Sequence, residues 1–186
     1  MFAWLSRRSD RRRNARELYG SIVTQARLPT FYTAWGVPDT VEGRFELLLV
    51  HVSLLLDRLS HEGAEGATLA RALSEAFIAD MDANMREMTF GDLAVPREIK
   101  RAAAALFDRH GAYRAALATR QPALLQRALE AQLAYLAADA LDAGQIAHYM
   151  LEAADDIAAQ SGRQLLAGRL GWPIVQNAGR RGESAG

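Results

Sequence analysis

Apolar residues recur at helical spacing along almost the whole chain, and no stretch alternates cleanly with β-branched enrichment. That pattern restricts the fold to helices packed on helices. The clearest segment carries Phe45, Leu48, Leu49, Val52, Leu55, Leu56 and Leu59, the i, i+3, i+4, i+7 spacing of one helix face. Gly36-Val37-Pro38-Asp39 marks its start, with Asp39 expected to cap the free amides and Glu42 at the third helical position. His61-Glu62-Gly63 and Gly66 mark its end. A second helix is expected over 67–88, turning Leu69, Leu73, Phe77, Met81, Met85 and Met88 inward. Thr89-Phe90-Gly91-Asp92 stops it, and Pro96 opens a third through Ile99, Ala103, Leu106 and Phe107, which Gly111 is expected to interrupt. Stretches 122–140 and 144–160 repeat the pattern, and an opening helix over 15–27 and a short one near 164–170 complete the set. The expectation is a single compact all-α domain of about seven helices with short loops, spanning 15–176. A basic, mobile segment at 1–14 precedes it and a flexible tail at 177–186 follows.

A chain of 186 residues with this apolar content can bury a core without covalent staples. Cysteine is absent, which removes disulfides, thiolate metal sites and cysteine nucleophiles from consideration. The net charge is zero, so nothing in the whole-molecule balance favours specific DNA binding. The apolar start at Phe2 to Leu5 is shorter than a signal peptide's roughly 7–15 residues, and it precedes its basic region rather than following it. No run approaches the ~20 apolar residues of a membrane span. The expected location is the cytoplasm, with peripheral contact on the cytoplasmic face of the inner membrane left open.

Chemistry-bearing patterns are sparse. His61-Glu62 lacks a second histidine four residues on, so it is not a zinc-protease motif. His51 lies one residue off the apolar face and reads as a packed side chain. There is no glycine-rich phosphate loop and no Gly-x-Ser-x-Gly turn. Asp80, Asp82 and Glu87 form an acidic group that could hold a metal but reads more readily as part of a structural ion pair. Arg44 is the expected partner of Asp80, and Asp82 and Arg86 can pair across one helical turn. No cofactor and no metal are assigned, and no catalytic residue. The basic start (Phe2, Trp4, Arg7, Arg8, Arg11, Arg12, Arg13) has three readings: a solvated tail, a contact to ribosomal RNA, or a weak attachment to anionic lipid.

Several ordered blocks resemble the ubiquinol–cytochrome c chaperone family. They are Leu18-Tyr19 with Ile22-Val23 and Gln25-Ala26-Arg27, then Pro29 with Phe31-Tyr32, then Gly36-Val37-Pro38-Asp39-Thr40 with Gly43-Arg44-Phe45-Glu46-Leu47. Phe77 with Asp80-Met81-Asp82 and Met85-Arg86-Glu87-Met88 follows, then Gly91-Asp92-Leu93 with Val95-Pro96, and the closing Leu166-Ala167-Gly168-Arg169-Leu170 with Trp172-Pro173. Two blocks depart from the family's pattern: Thr89-Phe90-Gly91-Asp92 replaces its Gly-Val-Gly-Asp turn, and Leu106-Phe107-Asp108-Arg109 its Phe-Tyr-Gly-Arg segment.

The resemblance implies a non-catalytic chaperone that binds newly made cytochrome b during assembly of ubiquinol–cytochrome c reductase. A second assembly factor or the ribosome would be a further partner. A client of that kind needs an adaptable apolar surface. Phe31, Tyr32, Trp35 and Val37 lie between Pro29 and Pro38, off any periodic face, and with Asp80, Asp82, Arg86, Glu87 and Asp92 they are the expected client-binding residues. The alternative is an all-helical enzyme or a quinone- or lipid-binding protein with an acidic pocket, which would bring Asp80, His51 or His148 within reach of one another.

Overall fold

The computed structural model describes residues 2–87 and 95–175, with side chains from Arg8 onward. Its elements are α1 (Phe2–Ala26), α2 (Pro29–Thr33), α3 (Val41–Ser60), α4 (Gly63–Glu87), α5 (Val95–Ala118), α6 (Pro122–Leu133), a 3₁₀ turn (Ala134–Leu136), α7 (Ala143–Ala159) and α8 (Gly162–Leu166). Among the described residues there is no strand, and no helix is long and apolar enough to cross a membrane.

The centre of the molecule is α3. Every residue from Leu49 to Leu55 is buried, so this helix is apolar on more than the one face its spacing suggests. Leu49, Val52, Leu55 and Leu59 join one cluster with Leu18 and Ile22 of α1, Leu73 and Phe77 of α4, and Leu106 of α5. Leu47, Val50 and Leu54, on its other side, join a second cluster with Phe31, Tyr113, Leu125, Leu129 and Tyr149. Phe45 and Leu56, counted in the expected stripe, are only half-buried.

Local signals explain most boundaries. Thr40, not Asp39, caps α3, its hydroxyl accepting from the Gly43 N–H at 3.2 Å. Gly63 has φ +63, which lets the chain reverse from α3 directly into α4. A Cβ on Gly66 would stand 2.2 Å from the Leu59 carbonyl oxygen, so only glycine permits the two helices to approach there. Gly111 does not interrupt α5. Its backbone stays helical because Leu106, Tyr113 and Leu117 on either side are all buried, and their burial outweighs a glycine's cost of about 1 kcal/mol. By contrast α6 stops at Leu133, where the 3₁₀ turn and Ala137 at φ 47 end it before the expected residue 140.

The opening helix begins at Phe2, so the boundary expected between 14 and 15 falls inside α1. The expected tail at 177–186 lies outside the described residues. Just before it, the chain doubles back over α1 and α7. Gln160 donates to the Gly171 carbonyl at 2.7 Å and accepts from its N–H at 2.8 Å. Asn14 donates to the Leu166 carbonyl at 2.9 Å, and the Trp172 ring lies edge-on to His51 at 5.1 Å.

Candidate functional site

α1, α3, α4 and α5 leave an open groove of about 610 Å³ between them. Val23, Phe45, Leu48, Met81, Met85, Ala102 and Ala105 supply its apolar surface. The helical period places these residues together: Val41, Phe45 and Leu48 follow one ridge of α3, and Met81 and Met85 stand one turn apart on α4. On the α5 wall the apolar side chains are the small Ala102 and Ala105, which keeps the cleft open. Arg27, Glu42, Arg44, Asp80, Asn84, Glu98, Arg101 and Tyr135 add polar groups of both signs.

The charges are largely paired locally. Arg44 donates to Asp39 at 2.7 Å on the surface, and that hydrogen bond holds the Asp39 carboxyl below the usual range. The expected Arg44–Asp80 pair is therefore not formed. Asp39 is five residues from Arg44 and within easy reach, while Asp80 accepts from the Tyr19 hydroxyl at 2.8 Å. Burial is the main reason the Tyr19 phenol is pushed up, and the Asp80 bond adds to it. Asp82 and Arg86 form the i, i+4 pair with contacts of 2.8 and 3.2 Å, which lowers Asp82. Glu98 is lowered chiefly by Arg101, at 2.8 Å.

Of the expected client-binding residues that the structure describes, only Asp80 lines this groove. Phe31, Trp35 and Val37 are core side chains instead. Pro29–Thr33 forms a short helix rather than a loop, and it drives Phe31 edge-on against Trp35, Tyr149 and His51 at 5.0, 5.2 and 5.5 Å. Turning these side chains outward would leave the cluster around Tyr149 and Leu129 unpacked. Tyr32 is half-buried and donates to the Ala26 carbonyl at 2.9 Å. Glu87 is exposed at the end of α4, and Asp92 lies outside the described residues, as do the side chains of Phe2, Trp4 and Arg7. Arg8, Arg12 and Arg13 are exposed on α1, Arg11 is half-buried, and Arg13 pairs with Asp10 at 3.0 Å.

His51 is fully buried. Its Nδ1–H donates to the Leu47 carbonyl at 2.7 Å, and Nε2 accepts from the Tyr149 hydroxyl at 2.8 Å. Gln25 in turn donates to the Tyr149 oxygen at 3.1 Å. Burial lowers the His51 pKa to about 4, so the ring is neutral and its two nitrogens are both engaged. His148 is exposed on α7 and Asp80 sits at the groove, so the three are not brought together. Among the described residues no group of three or more His, Cys, Asp or Glu side chains is placed to hold a metal ion.

Sequence reading passed over a second polar centre. Glu46 is buried on α3 and receives two hydrogen bonds from Arg109 of α5, at 2.7 and 3.2 Å. Tyr135, on the 3₁₀ turn, donates to the same carboxylate at 2.9 Å. Arg109 also reaches the Gln132 carbonyl at 3.4 Å, tying α5 to the end of α6. One signal was available: Glu46 sits between Phe45 and Leu47 in a buried run, where an acid must have a partner. The partner, 63 residues away, carried no such signal.

Comparison with known proteins follows the same outline. A family model described as ubiquinol-cytochrome C chaperone matches residues 33–172, which includes α3 to α7 and most of the groove. The crystal structure of the Cbp3 homolog from Brucella abortus superposes with a TM-score of 0.80 at 31% identity, covering 94% of this chain and 97% of that one. No curated protein gives a match. The chain therefore belongs to the ubiquinol–cytochrome c chaperone family.

Proposed function

We propose that this protein is a non-catalytic assembly chaperone that holds newly made cytochrome b during assembly of ubiquinol–cytochrome c reductase. Family membership supports this reading, and the groove between α1, α3, α4 and α5 is the observation that carries the binding role. Its volume of about 610 Å³ suits several apolar side chains. Met81 and Met85 add flexible, polarizable surface that adapts to irregular partners. A membrane protein not yet inserted must cover its apolar helices, and a cleft with a greasy floor and a charged edge covers them reversibly. Exposed Arg12, Arg13 and Arg16 on α1 support a weak, peripheral attachment to the anionic inner membrane beside that client.

Affinity capture of the tagged protein from its native membranes, with cytochrome b as the readout, tests this. Val41 is 58% exposed in the first turn of α3, where an acidic residue suits the helix, and Met85 is half-buried on the facing wall. Val41→Glu with Met85→Glu should lower cytochrome b recovery by about tenfold, the effect of losing a binding hot spot. Full recovery by the folded double variant would place the client elsewhere on the protein. Absence of cytochrome b from the wild-type capture would refute the function.

A further inference from the structure

Tyr135 is an exposed aromatic held rigidly at the groove. The residue is 54% accessible, while its hydroxyl is tied to a buried carboxylate. Three features fix it. Glu46, the acceptor, is itself clamped by two Arg109 contacts. Arg109 braces the end of α6 through the Gln132 carbonyl, three residues before Tyr135. Ala137, in the left-handed region at φ 47, ends the turn two residues after it. Burial, with the Glu46 charge next, pushes the Tyr135 phenol up, so the hydroxyl stays protonated as a donor.

A core role does not account for this arrangement. A tyrosine placed only to fill space would bury its ring and leave the hydroxyl at the surface, as amphipathic side chains usually do. Here the hydroxyl is tied to a buried carboxylate while the residue as a whole stays exposed, lining the groove with Val41, Glu42 and Phe45. Such a side chain offers a large contact area with little conformational entropy left to lose.

We propose that Tyr135 is a specificity-determining contact of the chaperone, an aromatic anchor for an apolar helical segment of the client. Glu46 and Arg109 are its positioning residues. The occupant is committed by the lining: aliphatic and methionine side chains on three walls, with the phenol ring at the edge to receive an aliphatic side chain. This inference rests on the chaperone reading above and adds the residue that sets where the client lies.

The test uses the full chain with cytochrome b as client. A photoreactive benzophenone amino acid placed at position 135 should crosslink to cytochrome b, whereas the same group at Phe107, which is 71% exposed and outside the groove lining, should not. Tyr135→Ala, assayed at a temperature where it remains folded, should lower capture by about tenfold, and Tyr135→Phe, which loses the same hydrogen bond but keeps the ring, should fall in between. Capture by Tyr135→Ala equal to wild type, or crosslinking from 107 and not from 135, would overturn the anchor and leave the chaperone reading standing. Failure of the wild type to capture cytochrome b would overturn both.

Discussion

Removing Arg109 should expose how the second polar centre supports the fold. Glu46 is 1% exposed and takes two hydrogen bonds from Arg109 and one from Tyr135. In Arg109→Leu the carboxylate keeps a single neutral donor in an otherwise apolar setting. Breaking a buried pair from one side costs about 3–5 kcal/mol. The Arg109 side chain retains 17% exposure, so water can replace part of the lost interaction, and the lower end, about 3 kcal/mol, is expected. For a chain of this length that shifts the thermal midpoint by roughly 6–12 °C. Urea unfolding should show the same loss as a lower midpoint with an unchanged slope. The double variant Glu46→Leu with Arg109→Leu removes the stranded charge, fills the space with apolar groups and leaves the Tyr135 hydroxyl within reach of solvent. It should recover more than half of the loss. The reasoning fails if Arg109→Leu stays within about 0.5 kcal/mol of wild type, the range of an ordinary surface change. It fails equally if the double variant is worse than the single one.

His51 has a folded pKa of about 4 against 6.5 for the free side chain, so below pH 6.5 the unfolded chain binds a proton that the folded chain refuses. Stability from this group is complete above 6.5 and falls as the pH drops toward 4, by on the order of 3 kcal/mol in total; His51→Gln should flatten urea stability across that window, and an unaltered slope would clear His51 as the cause. Two glycine substitutions should move stability in opposite directions. Gly66→Ala, with its Cβ 2.2 Å from the Leu59 oxygen, should destabilise by about 2 kcal/mol. Gly111→Ala, with nothing within 4 Å, should stabilise by roughly 0.5–1 kcal/mol. A raised thermal midpoint for Gly66→Ala would contradict the close approach of α3 and α4, and a lowered one for Gly111→Ala the open space beside α5.

Much of the helix content was legible because burial on a helix imposes its period on the sequence. The stripe Leu69, Leu73, Phe77 and Met81 is buried as its spacing requires. Leu125 and Leu129, and Ile146, Tyr149, Met150 and Ile157, behave the same way. Ends were less legible, since several near-equal local options compete there. Thr40 and Asp39 are adjacent and both can cap; the Thr40 hydroxyl takes the Gly43 N–H while Asp39 is drawn to Arg44. Gly111 shows the converse: a local breaker is overruled when three flanking residues are buried by other helices.

An all-helical chain, its family and a methionine-bearing face on α4 were all readable from the order of residues alone. Those are consequences of local periodicity and ordered motifs, which do not depend on what packs against what. Helix packing, by contrast, turns Phe31, Trp35 and Val37 inward, sets Asp80 against Tyr19 and not Arg44, and gathers Glu46, Arg109 and Tyr135 into one hydrogen-bonded cluster. Each of those outcomes depends on partners tens of residues distant. Residue spacing carries no record of such pairings, because they arise from how α3 is enclosed by the helices around it.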